Sequence, residues 1–350
     1  MLIRPLVPLV NPVNTLTLID STVAQNNSDN HLVSIVLPTY KRAHVLPHAI
    51  RSVLEQTYQN WELIVVDDNS PDDTAAVVQS FDDHRIRYVK NDPNLKLPRA
   101  LNRGFSLAKG DYLTWTSDDN LFANNAIEKM ANRLKADGCD FVYADYYMFS
   151  AQNDEGLPVD INHDKLPGKL QLEKGNHIGA CFMYTRKVYE EIGEYDPELF
   201  LVEDYDYFIR ASKRFRFCHI PEALYFFRRD DATLYLSRFA EVKASDVLVR
   251  YKNQLLNADG LLDAVVAILA SNIDGLSNPI LRWSFPAVRR MSYRLTILYT
   301  DWIKRYLRSR LSAPAKHILQ EYDSAHLSFG QARDALMHLI QAVGKIEYKH

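Results

Sequence analysis

Two adjacent carboxylates at the end of an apolar run are the residues in this sequence that point most directly to chemistry. The stretch 112–120 reads YLTWTSDDN, so a short strand pattern is followed by Asp118, Asp119 and Asn120. Neighbouring carboxylates repel each other, and a divalent cation such as Mg²⁺ relieves the repulsion while substrate phosphates complete its coordination. A solvated turn is the alternative interpretation, because Asp and Asn also favour turns.

Polar side chains also end two earlier strand patterns, VSIVLPTY at 33–40 and WELIVVDDNS at 61–70. Ligands of open α/β sheets bind beyond the carboxyl ends of the strands, so we expect these side chains to lie together. They offer a hydroxyl, a ring able to stack on a base, a cation and a carboxylate. The residues are Pro38, Thr39, Tyr40 and Arg42 at the first strand and Asp68 at the second.

Strand and helix patterns alternate from residue 33 to residue 149, which predicts right-handed βαβ units. The expected fold class is α/β, with a Rossmann-like, mostly parallel sheet flanked by helices and a C-terminal helical appendage. We expect a flexible N-terminal tail at 1–31, a sheet domain at 32–235 and a helical region at 236–350. The stretch 150–169 is rich in Asn, Asp, Gly and Pro and predicts a long loop that is either functional or disordered.

Composition limits the classes of protein to which the chain can belong. The 350 residues are 47% hydrophobic and 24% charged, as in ordinary globular proteins. A net charge of -3 argues against a nucleic-acid partner. No run of about 18 apolar residues predicts a membrane span. Three scattered cysteines suggest a reducing, cytoplasmic location with neither a disulfide framework nor a zinc site.

Four motifs occur in a fixed order: VSIVLPTYKR, ELIVVDDNS, TSDDN and VEDYDYFIR. Together they resemble the GT-A fold of family 2 inverting glycosyltransferases, over about residues 32–233. The resemblance implies transfer of a sugar from a nucleotide-sugar donor, expected to be a UDP-sugar, to a hydroxyl of a saccharide or lipid-linked acceptor. It also implies Mg²⁺ or Mn²⁺ as a cofactor and a place in cell-surface polysaccharide or glycan biosynthesis.

The resemblance assigns the donor side of the site. Residues 38–40, with Arg42 beside them, contact the nucleotide, and Asp68 accepts a hydrogen bond from the base or the ribose. Asp68 is also suited to capping the next helix. Asp119 is the metal ligand and Asp118 its neighbour on the nucleotide or donor sugar, although these two roles are interchangeable.

The acidic pair Glu203-Asp204 begins an amphipathic helix pattern and matches the pair that supplies the general base in the family. A base removes the proton from the acceptor hydroxyl as its oxygen attacks. A carboxylate at a helix N-terminus is kept ionised and oriented by the helix dipole, which favours Asp204 as the base. Helix capping is the alternative role for Asp204.

The sequence departs from the family pattern at three positions. Thr116 stands where the commonest metal motif has its first Asp, and Leu101 replaces an arginine for which Arg99 is the nearest substitute. Arg99 also suits a solvated helix face. Asp230 replaces a histidine, which leaves Arg228 to reach the diphosphate. These departures motivate a non-catalytic nucleotide-sugar-binding module as the alternative function.

Other enzyme classes lack their motifs. A sugar nucleotidyltransferase needs a glycine-rich loop after the first strand, and LPTYKR has no glycine. A haloacid-type phosphatase needs Asp-x-Asp, but Asn69 ends the 67–69 stretch. A dinucleotide-dependent oxidoreductase needs G-x-G-x-x-G, which does not follow the first strand.

The stretch 281–311 contains eight Arg or Lys residues against one acid, Asp301, and six interleaved aromatic residues. A basic helix with aromatic side chains can lie on an anionic membrane surface, here at the inner face of the membrane. A packed helical appendage with a solvated basic face is the other interpretation.

Overall fold

The computed structural model describes residues 31–136, 138–153, 156–230, 233–271 and 293–344, with the side chains of 293–296 left aside. The tail expected at 1–31 lies outside these ranges except for His31. Residues 281–292 of the basic stretch also lie outside them.

One large sheet organises the described part of the chain. Its strand order is β3-β2-β1-β4-β10-β6-β11-β5, with β9 paired to β6, while β7 and β8 form a separate hairpin. The strands are β1 Val33–Thr39, β2 Trp61–Asp67, β3 Ile86–Lys90, β4 Tyr112–Trp115, β5 Leu121–Phe122, β6 Phe141–Phe149, β7 Ala151–Gln152, β8 Pro158–Val159, β9 Asn162–Asp164, β10 Phe182–Thr185 and β11 Phe217–Arg228.

Helices cover both faces of this sheet and follow it in the chain. They are α1 Leu46–Leu54, α2 Thr74–Gln79, α3 Leu97–Leu107, α4 Ala126–Lys135, α5 Arg186–Ile192, α6 Glu203–Ser212, α7 Leu234–Ser237, α8 Phe239–Lys252, α9 Ala258–Ser271, α10 Tyr293–Asp323 and α11 Phe329–Val343. None of those described is both long and apolar enough to cross a membrane.

The prediction of an α/β sheet flanked by helices and followed by a helical C-terminal part is confirmed, and the sheet is mixed, with four parallel and four antiparallel strand pairings among the described strands. β10 is antiparallel to β4 and β6, and β5 is antiparallel to β11. The stretch expected to be one long loop, 150–169, contains β7, β8 and β9. These strands are too short to give a periodic signal, and β9 pairs with the part of β6 that extends past β10.

The strand β1 is buried along its whole length because both faces of the sheet are covered. Val33, Ile35 and Leu37 join the core beneath α1 and α4, whereas Val36 joins the core on the opposite face. On that face α3 packs so closely that a Cβ at Gly104 would lie 2.3 Å from Val36 Cγ1. Only glycine permits this approach of helix to strand.

The helices after residue 235 share their core with the sheet. Leu248 of α8, Leu307 of α10 and Leu336 of α11 belong to the same buried cluster as Phe141 of β6. The helical region is therefore packed against the sheet and does not form a separate core.

The cysteines differ from expectation. Cys139 and Cys218 form a disulfide, with Cα atoms 6.0 Å apart, and Cys181 is a buried free thiol. The expectation of no disulfide is wrong for this pair. The two cysteines are 79 residues apart, so their spacing carries no disulfide signal, and the parallel pairing of β6 with β11 brings them together. The inference of a reducing compartment loses its support here.

Candidate active site

The Asp118-Asp119 pair lies just beyond β4, as the strand pattern predicts. Asp118 is buried, and Asp119 Oδ1 accepts a hydrogen bond of 2.8 Å from Ser117 Oγ. Burial raises the pKa of the Asp118 carboxyl, and the neighbouring charge of Asp119 raises it further. The Asp118 and Asp119 carboxylates therefore form a site where a bound cation would be favourable.

The end of β1 supplies groups that oppose this rise in pKa. The Thr39 side chain, the Arg42 guanidinium and the Tyr40 backbone N–H lie close enough to Asp118 to lower its pKa, and the buried Thr39 hydroxyl has no hydrogen-bond partner among the described residues. Arg42 Nη1 also lies 3.6 Å from Asp119 Oδ2. The Tyr40 ring remains 43% exposed. Thus the structure brings together three residues predicted on the nucleotide and the two predicted at the metal.

The donor atoms of this cluster fit a cation that is completed by substrate. Within the described ranges, no three His, Cys, Asp or Glu side chains are grouped as a metal cage. Mg²⁺ in phosphate-binding sites usually takes one or two carboxylates and fills its other positions with water and phosphate oxygens. Asp118 and Asp119 match that smaller set, and their mutual repulsion favours a bound cation.

The position of the absent first Asp has a structural role. Thr116 is buried, and its Oγ1 lies 2.7 Å from the hydroxyl of Tyr225 on β11. An aspartate here would place a third negative charge beside the pair in a buried environment. The Thr116–Tyr225 contact instead ties the carboxylate loop to β11.

A second tie to β11 involves Arg228. Its backbone N–H donates to Asn120 Oδ1 at 2.8 Å, so β11 supports the loop after β4. Its guanidinium donates to Asp230 Oδ2 at 2.6 Å and to Gln152 Oε1 at 3.1 Å. Contact of Arg228 with a diphosphate stays a prediction. For this contact the Arg228 guanidinium must either bind Asp230 and the diphosphate together or give up its hydrogen bond to Asp230.

The buried Asp68 carboxylate holds a loop. Its Oδ1 accepts from Asn91 Nδ2 at 2.9 Å and from the Leu95 N–H at 2.8 Å, and its Oδ2 accepts from the Lys96 N–H at 2.9 Å. The residue before α2 is Asp73, so Asp68 does not cap that helix. Contact with the base or ribose stays a prediction, with one oxygen lone pair still open.

Two further residues predicted at the donor site are Pro38 and Arg99. Pro38 is buried within β1 in register with Val66. Arg99 is exposed in the first turn of α3 and makes no hydrogen bond or ion pair with any described residue. Their roles in nucleotide binding stay predictions.

The predicted base pair opens α6, and its two members differ. Glu203 is buried, and its Oε2 accepts from the Leu201 N–H at 2.9 Å. This bond supports a turn in which Leu201 has φ 85, a value unusual for a residue with a side chain. The half-buried Asp204 is the second residue of the helix and not its cap, which is Val202.

The pKa values of Glu203 and Asp204 are also influenced by different contacts. Burial raises the pKa of Glu203, and the charge of Asp204 raises it further. Burial raises the pKa of Asp204 too, but hydrogen bonds from the Tyr205 N–H and from Asn176 oppose the rise. Asp204 is therefore the acid of the pair that ionises more readily, as a general base must.

The chain just before β10 relates Asp204 to the carboxyl end of β4. Trp115 is the last residue of β4, immediately before the loop that carries Asp118. β10 runs antiparallel to β4, so its first residue, Phe182, lies at that end of β4. Asn176 lies shortly before β10 and donates a hydrogen bond to Asp204 Oδ2. The acidic start of α6 therefore lies toward the same end of the sheet as the Asp118-Asp119 pair.

Two side chains of the site were missed in the sequence. Ser117 Oγ holds Asp119, and Asn176 Nδ2 donates to Asp204 Oδ2 at 3.2 Å. Ser117 stood inside the metal motif and was readable as a support. Asn176 lies 28 residues before Asp204, and nothing in its local pattern points to this contact.

Comparison with known proteins assigns the sheet domain to a family. Residues 34–193 match the family described as Glycosyl transferase family 2. These residues contain β1, β4 and the Asp118-Asp119 pair. Residues 34–193 form a domain of glycosyl transferase family 2.

This glycosyltransferase domain has curated relatives and solved structural neighbours. The chain is 33% identical over 141 residues to the UDP-Glc:alpha-D-GlcNAc-diphosphoundecaprenol beta-1,3-glucosyltransferase WfgD of Escherichia coli, covering 39% of this chain and 56% of that protein. The crystal structure of S. aureus TarS 1-349 superposes with a TM-score of 0.52 at 16% identity, over 89% of this chain and 90% of that one.

A mannosyltransferase from Pyrobaculum calidifontis, solved with GDP-Man and Mn²⁺, superposes with a TM-score of 0.50 at 14% identity, over 90% of this chain and 87% of that one. The two structural likenesses support the GT-A-like fold of this chain. The chain spans between 27% and 66% of the length of several curated relatives that are 33–34% identical to it.

Proposed function

We propose that this protein is an inverting glycosyltransferase that moves a sugar from a nucleotide-sugar donor to a hydroxyl of a saccharide or lipid-linked acceptor. The observation that carries the proposal is the placement of two separate acidic groups at one end of the sheet, Asp118-Asp119 beyond β4 and Asp204 at the start of α6. One group suits the donor diphosphate through a cation, and the other suits the acceptor hydroxyl.

The chain's own residues divide the donor side between them. Thr39, Tyr40 and Arg42 lie against the carboxylates and offer a hydroxyl, an exposed ring and a cation to the nucleotide. Asp119, with Asp118 beside it, would hold a divalent cation, and a bound cation would neutralise charge that develops on the departing diphosphate.

Asp204 acts on the acceptor in this proposal. It removes the proton from the acceptor hydroxyl while the hydroxyl oxygen forms a bond to the anomeric carbon of the donor sugar. The bond between that carbon and the diphosphate oxygen breaks, and the electron pair leaves with the nucleoside diphosphate. A single displacement from the opposite face inverts the anomeric centre.

The names of the similar proteins support a UDP-sugar donor and a lipid-linked acceptor. WfgD is named for transfer of glucose from UDP-Glc to a sugar on diphosphoundecaprenol. The S. aureus TarS fragment has been crystallised with UDP and with UDP-GlcNAc. The Pyrobaculum calidifontis mannosyltransferase holds Mn²⁺. We extend these features to this chain as a UDP-sugar donor and a Mg²⁺ or Mn²⁺ cofactor.

We further propose 32–235 as the catalytic domain and 236–350 as a helical region that braces it. The support is a buried network at Asp206 of α6, which accepts from Arg210 at 2.7 Å, from Lys252 at 2.9 Å and from Asn253 at 2.9 Å. Lys252 ends α8, so the helical region is tied directly to the helix that carries Asp204.

A panel of nucleotide sugars tests the proposed function. We expect one UDP-sugar to raise the melting temperature more in Mn²⁺ than in a chelator, because the cation bridges carboxylate and diphosphate. The same donor should be consumed when a hydroxyl acceptor is added, and NMR of the product should show the anomeric configuration opposite to that of the donor. Retained configuration would contradict the mechanism, and binding without any transfer would favour the non-catalytic module.

The basic segment supports a second proposal, that 281–311 contacts an anionic membrane surface. In its described part, on α10, Leu298 is 62% exposed and Trp302 is 47% exposed, with Lys304 and Arg305 exposed nearby. Exposed apolar and aromatic side chains among cations favour the interface of an anionic bilayer.

Vesicle sedimentation checks this contact. We expect binding to phosphatidylglycerol vesicles at low salt, release at about 0.5 M salt because the surface attraction is screened, and weaker binding after Trp302→Ala with Arg305→Glu. Phosphatidylcholine vesicles are the control. Absence of binding at low salt would leave α10 as a packed appendage.

A further inference from the structure

A segment held in place by several hydrogen bonds leads to Asp204, the proposed base. Residues 162–178, here called the strap, run from β9 to the approach to β10 and lie over the face of the sheet on which α6 packs. Two residues of β6 hold its first part: Asp145 accepts from the Leu166 N–H at 2.9 Å, and Tyr143 donates to the Pro167 carbonyl at 3.0 Å. Its later part is held by Tyr205, which donates to the Leu172 carbonyl. Arg250 donates to the Glu173 carbonyl at 3.1 Å.

These ties come from β6, α6 and α8 and fix the strap just before Asn176. Asn176 then makes two contacts. Its Nδ2 donates to Asp204 Oδ2 at 3.2 Å, and its Oδ1 accepts from the Ile178 N–H at 3.3 Å. The amide has one orientation only, because an ionised carboxylate accepts and a backbone N–H donates.

We propose that Asn176 is a positioning residue for sugar transfer, whose amide holds the Asp204 carboxylate turned toward the acceptor hydroxyl, an inference that rests on the proposed function. Asp204 Oδ1 accepts from the Tyr205 N–H at 2.6 Å, so both carboxylate oxygens have a fixed partner. Each oxygen keeps a further lone pair, which can accept the acceptor's proton. Rotation of the carboxylate is therefore restricted before substrate arrives.

The same hydrogen bond supports the charge of the base. The titratable groups that face Asp204 are Glu203 beside it, Tyr195 and Tyr205. Burial raises the pKa of both phenols well above their ordinary range, so they stay neutral. Burial also raises the pKa of Asp204, and the Asn176 amide lowers it. Loss of the amide should raise that pKa and shift the acidic limb of the pH–rate profile to higher pH.

Asn176→Asp separates positioning from local structure. It retains an oxygen that can accept from the Ile178 N–H, but it replaces the donor facing Asp204 with a second carboxylate. We expect kcat at pH 7 to fall by roughly 10–10²-fold, because a hydrogen bond to the charged Asp204 carboxylate is lost and a like charge takes its place. The acidic limb should move upward by about one pH unit or more, and the KM for the donor should stay within about twofold.

Two further variants complete the test. Asn176→Ala should move the acidic limb of the pH–rate profile in the same direction by a smaller amount, because it removes the hydrogen-bond donor to Asp204 without adding charge. Asn162→Asp makes the same charge change at an exposed strap position and should leave both limb and rate unchanged. If Asn176→Asp fails to fold, the Ala variant carries the same comparison of pH profiles.

The outcomes distinguish this inference from the function on which it rests. Both Asn176 variants could show the wild-type acidic limb and the wild-type transfer rate while Asp204→Asn loses activity. That result would overturn the positioning role of Asn176 and leave the proposed function standing. A lost rate with an unmoved limb and a lowered melting temperature would reduce Asn176 to a structural residue. Absence of transfer by the wild-type protein with every donor would remove the basis of both proposals.

Discussion

Asp204→Asn should lower the rate of sugar transfer by roughly 10²–10⁴-fold, the usual worth of general-base catalysis, while donor affinity barely changes. The amide keeps the shape of the side chain and can still accept from the Tyr205 N–H, but it cannot take the acceptor's proton. Donor affinity should be spared because the groups proposed to bind the donor are Thr39, Tyr40 and Arg42 with the Asp118-Asp119 pair.

Transfer rates and donor titrations measured side by side check this expectation. Asp82→Asn makes the same chemical change at an exposed position after α2 and should behave as wild type. Glu203→Gln should cost rate mainly through structure, because Glu203 is buried and holds the Leu201 turn. Near-normal turnover in Asp204→Asn, or a lost donor affinity in that variant, would contradict the assignment of the base.

Asp119→Ala should weaken binding of a nucleoside diphosphate in Mn²⁺ by roughly 10²-fold, because a cation clamp on phosphate oxygens contributes several kcal/mol. The variant should also lose the response to chelation. Asp119 is placed for this role beside Ser117 and Arg42, and Asp118 lies deeper, against Thr39. Removal of either acid relieves the like-charge repulsion that favours the cation.

Calorimetric titration of UDP with Mn²⁺ and with a chelator provides the measurement. Asp118→Ala, titrated in parallel, decides which carboxylate contributes more to metal-dependent binding, since the sequence left the two roles interchangeable. Asp204→Asn serves as the matched control, as it removes an acid from the acceptor side only. Equal affinities for wild type and Asp119→Ala, with and without Mn²⁺, would exclude a metal role at this site.

Local patterns in the sequence determined much of the donor side. The apolar runs that became β1, β2 and β4 are continuous because strands covered on both faces exclude polar residues. Parallel strands align their carboxyl ends, so the strand patterns alone predict Thr39, Tyr40 and Asp118 at one edge of the sheet. The acidic start of α6 was likewise readable, because helix periodicity is a local signal.

The tertiary structure alone decided how several polar groups are used. Asp68 is committed to the 91–96 loop, the Arg228 guanidinium to Asp230, and Cys139 to Cys218. Asn176 is brought to Asp204 by a strap whose ties come from three separate elements. A periodic pattern reports which face of an element is buried, whereas the partner of a polar side chain depends on packing between distant segments. The sequence therefore placed the acids of this site, and the packing of distant segments determined which neighbours orient them.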